Sequence, residues 1–399
     1  MNIPKASVGL PAYNGRPLEV AEEADGPRVC LPTVRNFARH IYRSAGYESE
    51  DVLTESANTD LLHLEPGKQF ALRARLLWNM KLLEKDVSRG LAYVNPGLRP
   101  ARVTKDYDLF MFVCPVHMDV LNFNVIRGWK KRCKTSVCWI HELWAANLPR
   151  YKHWLFRLRE FDHVILSFKD SVEAVSDAIG RRCHHVPGGV DALRFCPYPN
   201  SPARVINVYS IGRRLKGPHQ ALLKWASDDG IFYVHDTFGN PGATLASDYL
   251  THRNAYANMA KRSQLFMVAP GSVDLTNLTR GQVEVGFRYF EGAAAGAVLV
   301  GQSPNCEAFQ RSFDWPDSVV EINPDGSDAV EVLTALLADQ NKVAGISRRN
   351  ATEALLRHDW VYRWKEIFAI AGIKPTRAME ARERRLKALA ALVGEELFI

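Results

Sequence analysis

A two-domain α/β protein is predicted, and three observations predict it. Short apolar runs of strand length alternate with stretches of helical periodicity from about Asp60 onward, the pattern of a parallel sheet crossed by helices. The alternation stops at Val186–Pro202, where prolines and glycines cluster most densely, and then restarts. At 399 residues the chain exceeds one ordinary domain and suits two of similar size.

Residues 1–26 carry Pro4, Pro11 and Pro17 with little periodicity and read as an irregular arm. Asp60–Leu64 is a short apolar run. Lys68–Asp86 repeats apolar residues at helical spacing, through Phe70, Leu72, Leu76, Leu77, Met80 and Leu83. Asp108–Cys114 is continuously apolar, as a strand buried on both faces must be. Helix is predicted over Asp119–Cys133, Tyr151–Arg159 and Asp170–Ile179, and strand over Thr135–Ile140 and His163–Ser167. Past the break, strands are predicted at Val205–Ile211, Gly230–Val234, Leu265–Val268, Val298–Val300 and Val319–Ile322. Helices are predicted at His219–Ser227, Ala255–Arg262, from Glu291, at Asp328–Leu337, Ser347–Ala371 and Thr376–Leu397. The expected division is a first domain over 1–190, a Pro-rich linker over 191–203, a second domain over 204–372 and a C-terminal helix over 373–399. A ligand of such a fold lies beyond the carboxyl ends of the strands.

A hydrophobic content of 47% with 24% charged residues supplies a full core, and the formal charge of +7 fits an anionic ligand, an anionic membrane surface or nucleic acid. The basic residues are dispersed and no zinc-finger, RNP or KH signature is present, which argues against nucleic acid. Seven cysteines form no C-x-x-C pair, and neither a leader nor a run of membrane-spanning length is seen, so a reduced, cytoplasmic protein is expected.

The stretch from Arg288 to Gly301 carries the most chemistry. It reads as an acidic residue, Glu291, opening a helix of small residues that runs directly into a buried strand. Free amides at such a helix start suit a phosphate, and Glu291 would take sugar or ribose hydroxyls beside it. Earlier, Gly212-Arg213-Arg214-Leu215-Lys216-Gly217 follows an apolar strand. Fixed cations there would neutralise charge growing on a leaving phosphate. His117 and His141 each follow a predicted strand and project into the predicted cleft.

Three of these segments resemble the group 1 (family 4 type) glycosyltransferases of the GT-B fold, with two Rossmann-like domains facing a cleft. Val186-Pro187-Gly188-Gly189-Val190-Asp191 with Phe195 and Pro197 is similar to the family's exit from its first domain, with Gly188 in place of the usual Asn. Gly212–Gly217 resembles its diphosphate-holding element with a shortened loop, which leaves open whether Arg213, Arg214 or Lys216 reaches phosphate. The Glu291 helix resembles its donor signature, though Val283 stands where many members carry a second Glu and Glu284 lies one residue later. Arg288-x-Phe290-Glu291 and the tail Arg357–Trp364 are closest to the spore-maturation-protein-like branch. The resemblance implies transfer of a sugar from a nucleotide-sugar donor, with retention and without metal. It places Arg213, Arg214, Lys216, Glu284, Arg288, Tyr289, Phe290 and Gly292 at the donor. It assigns catalytic roles to Glu291 and to His117 ahead of His141. A glycan, a lipid-linked or a small-molecule acceptor would lie on the first domain. A catalytically silent binding subunit, and an epimerase or hydrolase, remain open alternatives.

Other motifs fail. Asp106-Tyr107-Asp108 precedes a strand where a metal-binding D-x-D would follow one. His141-Glu142 lacks a second ligand because Ala145 stands at that position, and Cys183-His184-His185 is too contiguous for zinc. No phosphate-binding G-x-x-x-x-G-K-[ST] is present. Arg127, Trp129, Lys130, Lys131, Arg132 and Lys134 form a basic, aromatic helix end that reads equally as a contact for anionic lipid and as a solvated terminus.

Overall fold

The computed structural model describes residues 26–80, 92–228, 230–237 and 244–395. The first domain is built on a sheet of six parallel strands. They are β1 (Arg28–Thr33), β2 (Asn58–His63), β4 (Tyr107–Val116), β6 (Cys133–Glu142), β7 (His163–Leu166) and β8 (His184–His185), in the order β2-β1-β4-β6-β7-β8. Two short strands, β3 (Ala101–Arg102) and β5 (Ile126–Arg127), pair separately. The second domain holds five parallel strands, β9 (Ile206–Ser210), β10 (Tyr233–His235), β11 (Ser263–Val268), β12 (Val298–Gly301) and β13 (Val320–Glu321), in the order β10-β9-β11-β12-β13. Fully parallel sheets need helices on both faces, and the central strands β4, β6 and β12 are accordingly buried along most of their length.

The predicted alternation therefore holds, with informative departures. The first domain begins with a strand, β1, and a helix, Ser44–Ser56, that the sequence did not reveal. Pro32 interrupts the apolar run of β1, and the helix buries Glu48, Ser49 and Glu50 among its apolar residues. The helix expected over Asp119–Cys133 is instead a 3-10 turn (His117–Val125), β5 and a short helix (Trp129–Arg132), because Gly128 adopts a φ of 84° that ends one turn and starts the next. The helix expected over Ser347–Ala371 is two, Gln340–Arg357 and Trp360–Ile370, with Asp359 capping the second through the Val361 amide at 2.9 Å. The helix seen over Phe70–Met80 and the final helix Arg377–Glu395 match their expected positions. The arm over 1–25 and the ends of both helices beyond Met80 and Glu395 lie outside the described residues.

One apolar cluster runs continuously through both domains, from Leu109, Val137 and Trp139 through Val190 and Phe195 to Phe266, Phe290 and Trp364. The chain after Pro187 builds this junction. Asp191 caps the short Ala192–Phe195 helix through the Arg194 amide at 3.2 Å and accepts from Arg382 Nη2 at 2.6 Å. Val190 exchanges backbone hydrogen bonds with His358 and Trp360. The helices Trp360–Ile370 and Arg377–Glu395 cross back to the first domain, where Trp364 Nε1 donates to the Ser49 carbonyl at 2.8 Å and Thr376 binds the Ser56 carbonyl. The segment read as a linker is thus pinned on both sides.

Candidate active site

The carboxyl ends of β9 and β11, together with the helix Phe287–Ala294, form the second domain's side of the cleft. After β9 the chain turns through Gly212, and the predicted cations part company. Arg213 is exposed and pairs with Asp274 at 2.7 Å. Arg214 folds back onto Asp236 at 2.5 Å. Lys216 is exposed at the start of the Lys216–Ser227 helix.

The helix carrying Glu291 starts at Phe287, with Gly286 as its cap, four residues before the position expected from the run of small residues. The amides without a carbonyl one turn back are therefore those around Gly286–Arg288. Arg288, not Glu291, occupies the first turn; its Nε donates to the Ile211 carbonyl at 3.2 Å, so it reaches over the Gly212 turn. Three residues expected at the donor are structural. Tyr289 is buried and donates to the Gln302 carbonyl. Phe290 packs between Phe313 and His358. A Cβ on Gly292 would stand 2.5 Å from Leu299 and 2.8 Å from Phe266, so this glycine serves helix-on-strand packing rather than a ligand.

Glu291 itself is fully buried and already satisfied. It accepts from Arg253 Nη1 and Arg288 Nη1, and from the Tyr256 hydroxyl at 2.8 Å. Burial alone would raise its carboxyl, but the guanidinium groups of Arg288 and Arg253 override that and hold it down at about 2. Arg253 continues the network into the first domain, donating to Glu48 through Nε at 2.7 Å and Nη2 at 2.9 Å. Glu48 also accepts from the Asp191 amide at 2.8 Å and Trp360 Nε1 at 3.1 Å. The expected contact of Glu291 with sugar hydroxyls is therefore not prepared here: the residue anchors an ion network that joins the domains and presents Arg288. Sequence reading missed Glu48, Arg253 and Tyr256. The only trace was Arg253 and Tyr256 three apart, on one face of the helix Tyr249–Lys261.

Of the two histidines, the fold brings His141 to the Phe287–Ala294 helix. It lies one residue before the end of β6, packed between Trp139, Trp360 and Phe287, the first residue of the Phe287–Ala294 helix. Burial lowers it to about 3, so the ring is neutral, and its Nε2 is buried with no hydrogen bond among the described residues. His117 is half-buried at the end of β4, with its ring stacked on Trp154 at 6.3 Å inside the first domain.

Glu284 is buried in a clasp between the domains. Its Oε1 accepts from Gln282 Nε2 at 2.6 Å and the Asp170 amide at 3.3 Å, while Gln282 also binds Ser171 Oγ and the Ala145 amide, each at 2.9 Å. Asn147 donates to the Leu278 carbonyl at 2.6 Å. Burial, reinforced by the Asp170 charge, raises Glu284 to about 7. A carboxyl raised in the fold stabilises it below the unfolded value near 4.5, and that contribution fades as pH rises toward about 7. Glu284→Gln should therefore flatten the fall in melting temperature between these pH values; an unchanged slope in a calorimetric pH series would exclude Glu284 as its source.

At the basic, aromatic helix end the aromatic ring turns inward while the cations stay at the surface. Trp129 is buried against Phe110 and Phe161, and Lys130, Arg132 and Lys134 pair with Glu160, Asp106 and Asp108 at 2.6, 3.0 and 2.7 Å. Asp106 and Asp108 thereby sit at the amino end of β4, opposite the cleft, as their position before the strand implied. No described helix is long and apolar enough to cross a membrane, and no cluster of three or more metal-ligating side chains occurs among the described residues.

Residues 221–369 match the family model described as glycosyl transferase-like. An alpha-glucosyltransferase solved with UDP and a 13-mer DNA containing a HMU base superposes with a TM-score of 0.52 at 12% identity, over 87% of this chain and 99% of that one. The alpha-glucosyltransferase with UDP-glucose and DNA containing an abasic site gives 0.51 at 13%, with the same coverage of 87% and 99%. Alr3699/HepE of Anabaena, with UDP and glucose, gives 0.46 at 13% over 87% and 99%. No curated protein matches the sequence. At these identities the structural likeness speaks to architecture, and the family match speaks to the second domain. The chain has the GT-B fold, and residues 221–369 of its second domain are similar to the glycosyl transferase-like family.

Proposed function

We propose that this protein transfers a hexosyl unit from a nucleotide-sugar donor to an acceptor seated on the first domain, with retention and without a metal. The observation that carries the reading is the family match over 221–369, within the domain where Arg214, Lys216 and Arg288 gather around the ends of β9 and the Phe287–Ala294 helix. The bond from the anomeric carbon to the diphosphate oxygen breaks while the acceptor hydroxyl approaches from the same face, and its proton passes to the leaving phosphate. Arg214, Arg288 and the amides at Gly286–Arg288 take up the charge that develops on the diphosphate. His141, neutral and with Nε2 unsatisfied, is the better placed histidine to hold a sugar hydroxyl. The acceptor would be a glycan, a lipid-linked saccharide or a small molecule, met in the cytoplasm.

A thermal-shift series with nucleoside diphosphates of each common base tests the donor half of this reading. A matching ligand at about 100 times its Kd should stabilise the fold by about 2.7 kcal/mol, visible as a rise of several degrees. No shift with any of them would count against a nucleotide site.

A further inference from the structure

Between β11 and the Phe287–Ala294 helix, residues 271–284 leave the second domain and reach across the cleft to the first. The excursion closes at its neck, where the Gly271 amide donates to the Glu284 carbonyl at 2.9 Å. Its seat is the chain just past β6 and β7. Gln282 accepts from the Ala145 amide through Oε1 and donates to Ser171 Oγ through Nε2, each at 2.9 Å. Asn147 Nδ2 donates to the Leu278 carbonyl at 2.6 Å, and the Asp170 amide donates to Glu284 Oε1 at 3.3 Å. These are polar contacts. Among the described residues, none of 271–284 enters an apolar cluster, and Val273, Leu275, Leu278 and Val283 stay half-buried. The flanking strand and helix instead put Phe266, Val268, Tyr289 and Phe290 into the core. Ser272 and Arg280 also adopt φ values of 51° and 48°, a left-handed region that residues other than glycine rarely occupy. A segment fastened by hydrogen bonds, without core contacts and with backbone strain to release, opens at a lower free energy than the elements beside it.

We propose that residues 271–284 form a lid, latched to the first domain by Gln282 and Asn147, that lifts as a unit to let ligands enter and leave the cleft. What passes beneath it rests on the nucleotide-sugar reading; the motion rests on the contacts alone. The neck ends two residues before Gly286, the cap of the helix that carries Arg288, so seating the lid also settles the start of that helix. Ala145 and Asp170 donate their amides to lid side chains, so the seated lid protects them. Removing one tether shifts the balance toward the lifted form, and both sides of the contact feel the shift.

Hydrogen exchange on the full chain without ligand, read by mass spectrometry, measures the motion. Peptides covering Ala145, Asp170 and the Gly271 neck should share one opening, at least about tenfold easier than that of β11 and β12. Gln282→Ala and Asn147→Ala, one on each side of the contact, should each speed exchange at Asp170 and Gly271 about tenfold and leave the flanking strands unchanged. Neither variant alters a partner of those two amides, so a merely local change would not move them. Stopped-flow binding of whichever nucleoside diphosphate gives a thermal shift then measures the passage of ligand. Association and dissociation should both quicken about threefold or more in each variant, with Kd changed less than either rate. Wild-type exchange at Asp170 and Gly271 in both variants would overturn the lid. Faster exchange with unchanged association and dissociation would overturn its control of entry. If Asn147→Ala does not fold, Gln282→Ala still decides through Asp170 across the contact. Wild type that binds no nucleoside diphosphate would instead defeat the nucleotide-sugar reading, and the exchange data would still decide the motion.

Discussion

Exchanging Arg253 for methionine should lower the melting temperature more than any other single substitution in the cleft. Arg253 is only 2% exposed, and its guanidinium is shared between Glu48 of the first domain and Glu291 of the second. Without it, two buried carboxylates face one another with part of their partners gone, and breaking one side of such a buried pair costs about 3–5 kcal/mol. Because Glu291 is held down at about 2, its stabilising contribution is complete above the unfolded value near 4.5 and is lost as pH falls toward about 2. Acid unfolding should therefore be steeper in wild type than in the variant. Scanning calorimetry from pH 7 downward reads both effects. A melting temperature within about a degree of wild type would mean that the domains do not depend on this network.

The second large effect belongs to chemistry. Arg288→Gln should reduce kcat/KM for sugar transfer about 10²–10³-fold, the range measured when one preorganised charge-stabilising donor is removed elsewhere. Stability should suffer less than in the Arg253 variant, since the Arg288 side chain is 30% exposed and Glu291 keeps Arg253 and Tyr256. Steady-state kinetics beside a melting curve separates the two roles. Full activity with a lowered melting temperature would make Arg288 a structural partner of Glu291 only.

Much of the architecture was legible because it rests on local pattern. Parallel strands buried on both faces leave unbroken apolar runs such as Leu109–Cys114, and the turn after the first domain needs Pro187, two glycines and a capping Asp191. What escaped is what tertiary packing decides. Glu48 and Arg253 look like ordinary charges on solvated helix faces, since buried charges are rare enough that sequence favours exposure. Only the crossing of the Ser44–Ser56 and Tyr249–Lys261 helices turns them inward. The small residues after Glu291 suggested a helix start, yet the helix begins one turn earlier, and those residues serve contact with Leu299 and Phe266. Likewise Trp129 among lysines read equally as a lipid contact and as part of a solvated terminus; its ring fills the space beside Phe110 and Phe161, and Lys130, Arg132 and Lys134 pair with acids.

On the proposed reading the cleft cleaves a nucleotide sugar and does not merely hold a nucleotide. Nucleoside diphosphate release from a panel of nucleotide sugars, each incubated with wild type and with His141→Ala in the presence of candidate acceptors, decides between the two. One donor should release nucleoside diphosphate with sugar appearing on the acceptor. His141→Ala should depress that turnover strongly while nucleotide affinity, proposed to be set in the other domain, stays nearly intact. Sugar freed to water in equal amount with or without acceptor would make the protein a hydrolase. Nucleoside diphosphate binding with no release from any donor would contradict the claim and leave a silent binding module.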